Sequence, residues 1–247
     1  MANKFSTGGN PFLRNGFGSD TDSGSSISMT GEGTMTVQGA INKSFILFGL
    51  LLLTSVWSFQ APNYIFLIGG AIVGFILVMV GIFKPQYSNI IAPAYALAEG
   101  LFVGNVSAMY ATQWGGIVVQ AVSLTVMVLF IMLVIQKTGL VPVTDKFRTG
   151  VIMATGGILM VYILTMILGL FHIKIPYIHE SGPIGIAFSI GVIGIASLNL
   201  LLDFDFIIKG EQYNAPKYME WFSAMGLMIT LIWLYFEMLR LLGKLKN

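Results

Sequence analysis

Seven largely apolar runs follow one another along the chain, at about 44–60, 64–83, 89–111, 116–136, 149–171, 183–207 and 221–243. Each approaches the ~20 residues an α-helix needs to cross a hydrocarbon core about 30 Å thick. The pattern predicts an all-α membrane protein, a bundle of seven transmembrane helices. The breaks carry turn formers or charge: Gln60-Ala61-Pro62-Asn63, Lys84-Pro85-Gln86, Trp114-Gly115-Gly116, the loop from Lys137 to Arg148, the loop from His172 to Pro183, and the segment from Lys209 to Lys217. Pro62 with Asn63 favours a turn between the first two spans over one long kinked hairpin. Pro93 is expected to kink the third span or delay its start, and Pro183 suits the first turn of the sixth, where a missing N–H costs little.

Composition agrees with a lipid-facing surface. Of 247 residues, 55% are hydrophobic and 10% charged, against about 25% charged in a soluble domain, and the mean hydropathy is +0.82. A net charge of +2 is too small to point to nucleic acid. The chain has no cysteine and two histidines, which excludes thiolate chemistry, cysteine-ligated zinc and a histidine-rich metal site. No HExxH motif and no intramembrane Ser–His pair is present, so no enzyme activity is expected.

Residues 1–42 are rich in Gly, Ser, Thr and Asn and lack the apolar core of a signal peptide. They are expected to form a disordered cytoplasmic tail, with Asn10-Pro11-Phe12-Leu13 as a segment able to dock locally, ahead of a membrane domain over 43–247. Lys4, Arg14 and Lys43 lie in this tail, and Lys84, Lys137, Lys146, Arg148, Lys209 and Lys217 fall in the second, fourth and sixth connections. Only Lys174 falls in the alternate ones, so the bias places the N-terminus in the cytoplasm; a plasma-membrane location is expected from the absence of a targeting segment. Seven spans then put Lys244 and Lys246 outside, against the same bias; a tilted, re-entrant or incomplete last segment would remove the conflict.

Gly70, Gly74, Gly100, Gly104, Gly156, Gly157, Gly191 and Gly194 are read as places where helices pack closely. Acids within or beside the spans are the more informative residues, because a mid-bilayer charge costs roughly 2.5–3.5 kcal/mol even on insertion scales. Glu99 lies near the middle of the third span, without a local partner; it is either a pathway acid or an architectural contact. Asp203, Asp205 and Glu220 are expected to gather at the cytoplasmic end of the sixth and seventh spans, where they would share a proton or, with Asp203 and Asp205 as ligands, meet Ca²⁺ as hard oxygen donors. Asp205 and Glu220 alternatively pair with Lys209 or Lys217 at the interface. Glu237 and Arg240, three apart, suit an ion pair on one helix face, and Glu237 is also a candidate pathway acid. His172 and His179, the latter beside Glu180, form either a weak pH-sensitive site or part of a solvated loop.

The phrases VQGAINKSF (37–45), Glu99–Phe102, Lys146–Gly157, Ile178–Gly185, LNLLLDFDFI (198–207) and PKYMEWFSAMGLMITLIWLYFEMLRLL (216–242) resemble the Bax-inhibitor-like membrane family, more closely its bacterial YccA-like branch. The resemblance runs from about residue 35 to the end. It implies a seven-helix bundle with a central last helix, and a calcium leak pathway controlled by an Asp of the sixth span sharing a proton with an Asp of the seventh. Asp203 corresponds to the first. Thr230 stands where the second is expected, so Asp205, Glu220 or Glu237 takes its place or that gate is missing.

Two functions follow as expectations. The first is a pH-sensitive cation leak channel or exchanger, with calcium ions and protons as its cargo. The second, implied by the resemblance, is a regulatory protein that binds and restrains a membrane protease, with the long tail as its docking element.

Overall fold

The computed structural model describes residues 33–171 and 182–246. The expected tail up to residue 32, with its Asn10–Leu13 stretch, and the loop residues His172, His179 and Glu180 lie outside the described residues. Among those described, seven long helices follow one another: α1 (Val37–Gln60), α2 (Tyr64–Phe83), α3 (Ser88–Gln113), α4 (Ile117–Thr138), α5 (Asp145–Leu170), α6 (Pro183–Gln212) and α7 (Met219–Lys246), with a 3₁₀ turn at Pro85–Tyr87 before α3. All seven are long and apolar enough to cross a membrane. No strand is present among the described residues; Thr34 and Pro216 form one isolated bridge.

The helix ends follow local chemistry. Thr36 caps α1 by accepting from Gly39 N at 2.9 Å, so the first helix starts six residues before Lys43 rather than after it. Asn63 caps α2, which establishes the turn expected at Pro62-Asn63. Pro93 does not delay α3, which starts at Ser88, while Pro183 takes the first position of α6 as expected. Gly139 ends α4 with φ +66°, a conformation glycine adopts without steric cost. The last helix is unbroken from Met219 to Lys246, about 42 Å at 1.5 Å per residue, so no incomplete last segment is needed. It is also the most enclosed: 83% of its apolar stretch is buried, against 6–50% in the other six.

The chain divides into two compact units, residues 33–109 with 203–229, and residues 110–202 with 230–246. In the first, α3 lies tightly against α1 and α2. A Cβ on Gly104 would meet the Ser55 backbone, one on Gly100 would meet Thr54 Oγ1 and the Leu51 carbonyl, and one on Gly70 would lie 2.8 Å from the Ala98 carbonyl oxygen. These glycines are the close approaches the sequence suggested. Gly156, Gly157, Gly191 and Gly194 are not: an added Cβ meets nothing within 4 Å, so there glycine is not required by packing.

A polar knot secures the same three helices. Ser58 Oγ donates to the Leu101 carbonyl at 2.7 Å, Asn105 Nδ2 donates to Ser58 Oγ and to Leu101 O, and Asn105 Oδ1 accepts from Asn63 N at 2.9 Å. Asn105 is 4% exposed, so its replacement leaves buried groups without partners. Asn105→Ala is expected to lower stability by about 1–3 kcal/mol, read as a lower denaturation midpoint in detergent micelles. A midpoint equal to wild type would show that the knot is not structural.

In the second unit, Asn199 of α6 donates to Thr155 Oγ1 of α5 at 2.8 Å. Lys244 is 6% exposed, and its Nζ donates to Gly185 O at 2.8 Å and Ser189 Oγ at 3.0 Å. This lysine, which offends the charge bias when all seven segments span, therefore serves to hold the start of α6.

Candidate functional site

The five candidate acids have surroundings of different kinds, and no three of them form a metal-holding group among the described residues. Asp203 is 1% exposed and sits about 13 Å before the end of α6 at Gln212, flanked by buried Leu202 and Phe204. Because α6 runs five residues past the expected end, Asp203 lies further from the end of its helix than the single turn that the sequence suggested. Asp205 is two positions on, and residues two apart on a helix do not share a face. Its Oδ2 accepts from Lys209 Nζ at 2.7 Å, four residues along, with 14% of the side chain exposed. Asp205 is thus the interfacial ion pair that was one of its two expected roles.

Glu220 is the clearest correction. It opens α7, where a carboxylate suits the positive end of the helix dipole, yet it is neither solvated nor joined to the aspartates. Its side chain is 0% exposed. Glu220 Oε1 accepts from Thr36 N and from Thr36 Oγ1, each at 3.0 Å, and Oε2 is paired with Lys43 Nζ. Lys217, the local partner the sequence offered, also pairs with it more loosely, its Nζ 3.7 Å from Oε1 and its side chain half exposed. The α1 side of this clasp is shaped for it: a Cβ at Gly39 would run into the carboxylate, and Lys43 Nζ also lies 5.5 Å from the centre of the Trp221 ring. Neighbouring contacts join the same two strands of chain, with Glu211 accepting from Val37 N at 3.0 Å and Ala215 O accepting from Met35 N at 2.7 Å. Glu220 therefore ties the entry of α1 to the α6–α7 connection. Among the described residues Asp203, Asp205 and Glu220 do not gather into a group able to hold a metal ion, and no other three His, Cys, Asp or Glu do so; Lys43 and Thr36 engage Glu220, and Lys209 engages Asp205.

Glu237 and Arg240 do pair, in the second unit. Arg240 Nη1 donates to Glu237 Oε1 at 2.8 Å and Oε2 at 3.0 Å. Two residues the sequence reading passed over complete the arrangement. Tyr162 of α5 donates from its Oη to Glu237 Oε1 at 2.8 Å, and Trp233 Nε1 donates to the same oxygen at 3.2 Å. Glu237 is 1% exposed, and its charge is matched and hydrogen-bonded, as a buried carboxylate requires.

Glu99 differs from all of these. It lies about 16 Å into α3 from Ser88, half-buried, with its Oε2 at 2.6 Å from where a Cβ on Gly74 would stand, and with Tyr95 one turn before it on α3. No hydrogen bond or ion pair to its carboxyl occurs among the described residues. Small Gly74 on α2 leaves the room the carboxyl occupies.

The signals that could have exposed the missed partners are modest. Tyr162 is a polar-tipped residue within an apolar run, and Asn105 and Ser58 are polar residues at span positions. Thr36 falls in the expected tail, and its signal is that of a threonine N-cap shortly before an apolar run.

A family model described as Bax inhibitor 1 like matches residues 10–247. No curated protein and no solved structure matches the chain significantly.

Proposed function

The chain belongs to the Bax inhibitor 1 like family and is a multi-pass membrane protein, and on that premise we propose that it is a pH-sensitive cation leak channel or exchanger, with Ca²⁺ as its expected cargo. The observation that carries the reading is Asp203, a carboxyl 1% exposed within a membrane-spanning helix. An acid at such a position is costly and faces the protein interior, a partner or water rather than lipid. It is assigned the gate: taking up a proton removes its charge and, with it, its attraction for a cation. Glu99, within α3 and without a hydrogen bond among the described residues, is assigned as the pathway acid.

Glu220 and Glu237 are assigned structural roles, since their oxygens are taken by Thr36 and Lys43 and by Arg240, Tyr162 and Trp233. Ca²⁺ prefers six to eight oxygen ligands, and no three acidic or histidine side chains converge among the described residues. In this reading the ion therefore keeps much of its water and passes single carboxylates in turn. The Lys and Arg distribution supports a cytoplasmic N-terminus, the family resemblance supports a plasma-membrane location, and no residue is assigned a catalytic role.

Reconstituted vesicles test the proposal. Wild-type protein is expected to pass Ca²⁺ at a rate that differs between pH 6 and pH 8, and Asp203→Asn to lose most of that difference. Folded wild-type protein that passes no Ca²⁺ at either pH sinks the leak reading and turns attention to restraint of a membrane protease through the tail.

A further inference from the structure

Arg240 lies about 9 Å before the end of α7 at Lys246, in an apolar run continued by Leu241 and Leu242. Its guanidinium is gripped from one side. Every hydrogen bond it makes among the described residues leaves from Nη1, to Glu237 Oε1 and Oε2 and to Tyr162 Oη at 2.6 Å. The Tyr162 ring lies beneath it, 4.8 Å from the guanidinium carbon. Nε and Nη2 make no such bond, and the side chain remains 34% exposed.

That combination is specific. A guanidinium has five donors in a planar fork matched to two oxygens of a phosphate. Here one nitrogen is spent on anchoring, the other two nitrogens make no hydrogen bond among the described residues, and a third of the side chain stays exposed. Glu237, itself 1% exposed, fixes the rotamer, so little side-chain freedom remains to be lost on binding. The position is near the margin of the hydrocarbon, where an exposed arginine draws water and lipid phosphate toward itself. A surface that needed only to face lipid would carry leucine here, as positions 241 and 242 do.

We propose that Arg240 is a phospholipid site: the outer edge of its guanidinium takes the phosphodiester of an anionic glycerophospholipid in the leaflet at the C-terminal end of α7, while Glu237 and Tyr162 hold the guanidinium in place. Tyr162 and Glu237 are positioning residues and do not touch the lipid. A headgroup without a cation of its own leaves the phosphate free for the arginine, which favours anionic over zwitterionic lipid.

The full chain in phosphatidylcholine nanodiscs, titrated with fluorescent phosphatidylglycerol, tests this. Wild-type protein is expected to retain the probe, Arg240→Gln to weaken retention about tenfold, as the loss of a charged hydrogen bond implies, and Arg240→Lys to fall between them because it keeps the charge and loses the fork. Excess inorganic phosphate is expected to leave the probe in place. Retention by Arg240→Gln equal to wild type overturns the proposal, as does displacement of the probe by inorganic phosphate, which makes the site one for a free anion. Should Arg240→Gln fail to fold, Arg240→Lys decides: wild-type retention there overturns the forked contact, and weakened retention with an unchanged denaturation midpoint supports it.

Discussion

Glu220→Ala is expected to lower the stability of the protein by about 3–5 kcal/mol, because it leaves the Lys43 ammonium without its carboxylate in a largely buried setting. The side chains of Lys43 and Glu220 are 17% and 0% exposed, so water replaces little of what is lost. Thr36 loses the acceptor of both its N–H and its hydroxyl, although the hydroxyl still caps Gly39. The double variant Lys43→Met/Glu220→Met separates charge from packing. It is expected to recover part of the loss, since breaking a buried pair from one side costs more than removing both partners. Reversible unfolding in mixed micelles reads both. A Glu220→Ala midpoint within about 0.5 kcal/mol of wild type, the usual range of a surface change, would show that the clasp at the entry of α1 holds nothing.

The second large effect concerns the approach of α3 to α1. Gly104→Ala places a Cβ on the backbone of Ser55, whose carbonyl carbon and Cα would lie 2.9 Å away. Backbone cannot rotate aside as a side chain can, so the helices must separate. The expected cost is about 1–3 kcal/mol or more, the range for overfilled interiors, with Gly104→Val worse. Gly100→Ala is expected to behave alike, since the Leu51 carbonyl stands in its way. Gly156→Ala and Gly157→Ala are the contrasting pair. They meet open space, and alanine is the better helix former by about 1 kcal/mol, so these variants are expected to be neutral or slightly stabilised. Equal losses at all four positions would contradict the packing described here.

These contrasts mark how far the fold was readable from the chain. The seven helices were legible because runs such as 64–83 carry almost nothing but apolar residues, and lipid imposes that pattern directly. The ends were less so. Lys43 looks like the edge of a span, yet it lies inside α1 because Glu220, far away in sequence, neutralises it. Lys209 and Glu211 look like a connection, yet α6 carries them to Gln212. Small residues at helical spacing did not distinguish Gly104, which faces backbone, from Gly194, which faces nothing.

At the candidate site, the pairs legible in sequence were those three or four residues apart, Lys209 with Asp205 and Arg240 with Glu237. Partners brought from other helices carried no local mark. Thr36 and Lys43 for Glu220, and Tyr162 for Glu237, emerge only when the chain is folded. The phrases that carry the family resemblance contain Lys43 and Glu220, VQGAINKSF on one side and PKYMEW on the other, but nothing in them marks the two as partners.

The most direct test of the account compares two substitutions two residues apart. Asp203→Asn and Asp205→Asn each exchange one oxygen for an NH₂ on α6, one at a buried carboxyl and the other at an interfacial ion pair. Ca²⁺ uptake into vesicles is measured for both across pH 6 to 8. The account predicts that Asp205→Asn follows the wild-type pH profile and Asp203→Asn is flat. A flat profile for Asp205→Asn with an intact one for Asp203→Asn would contradict it.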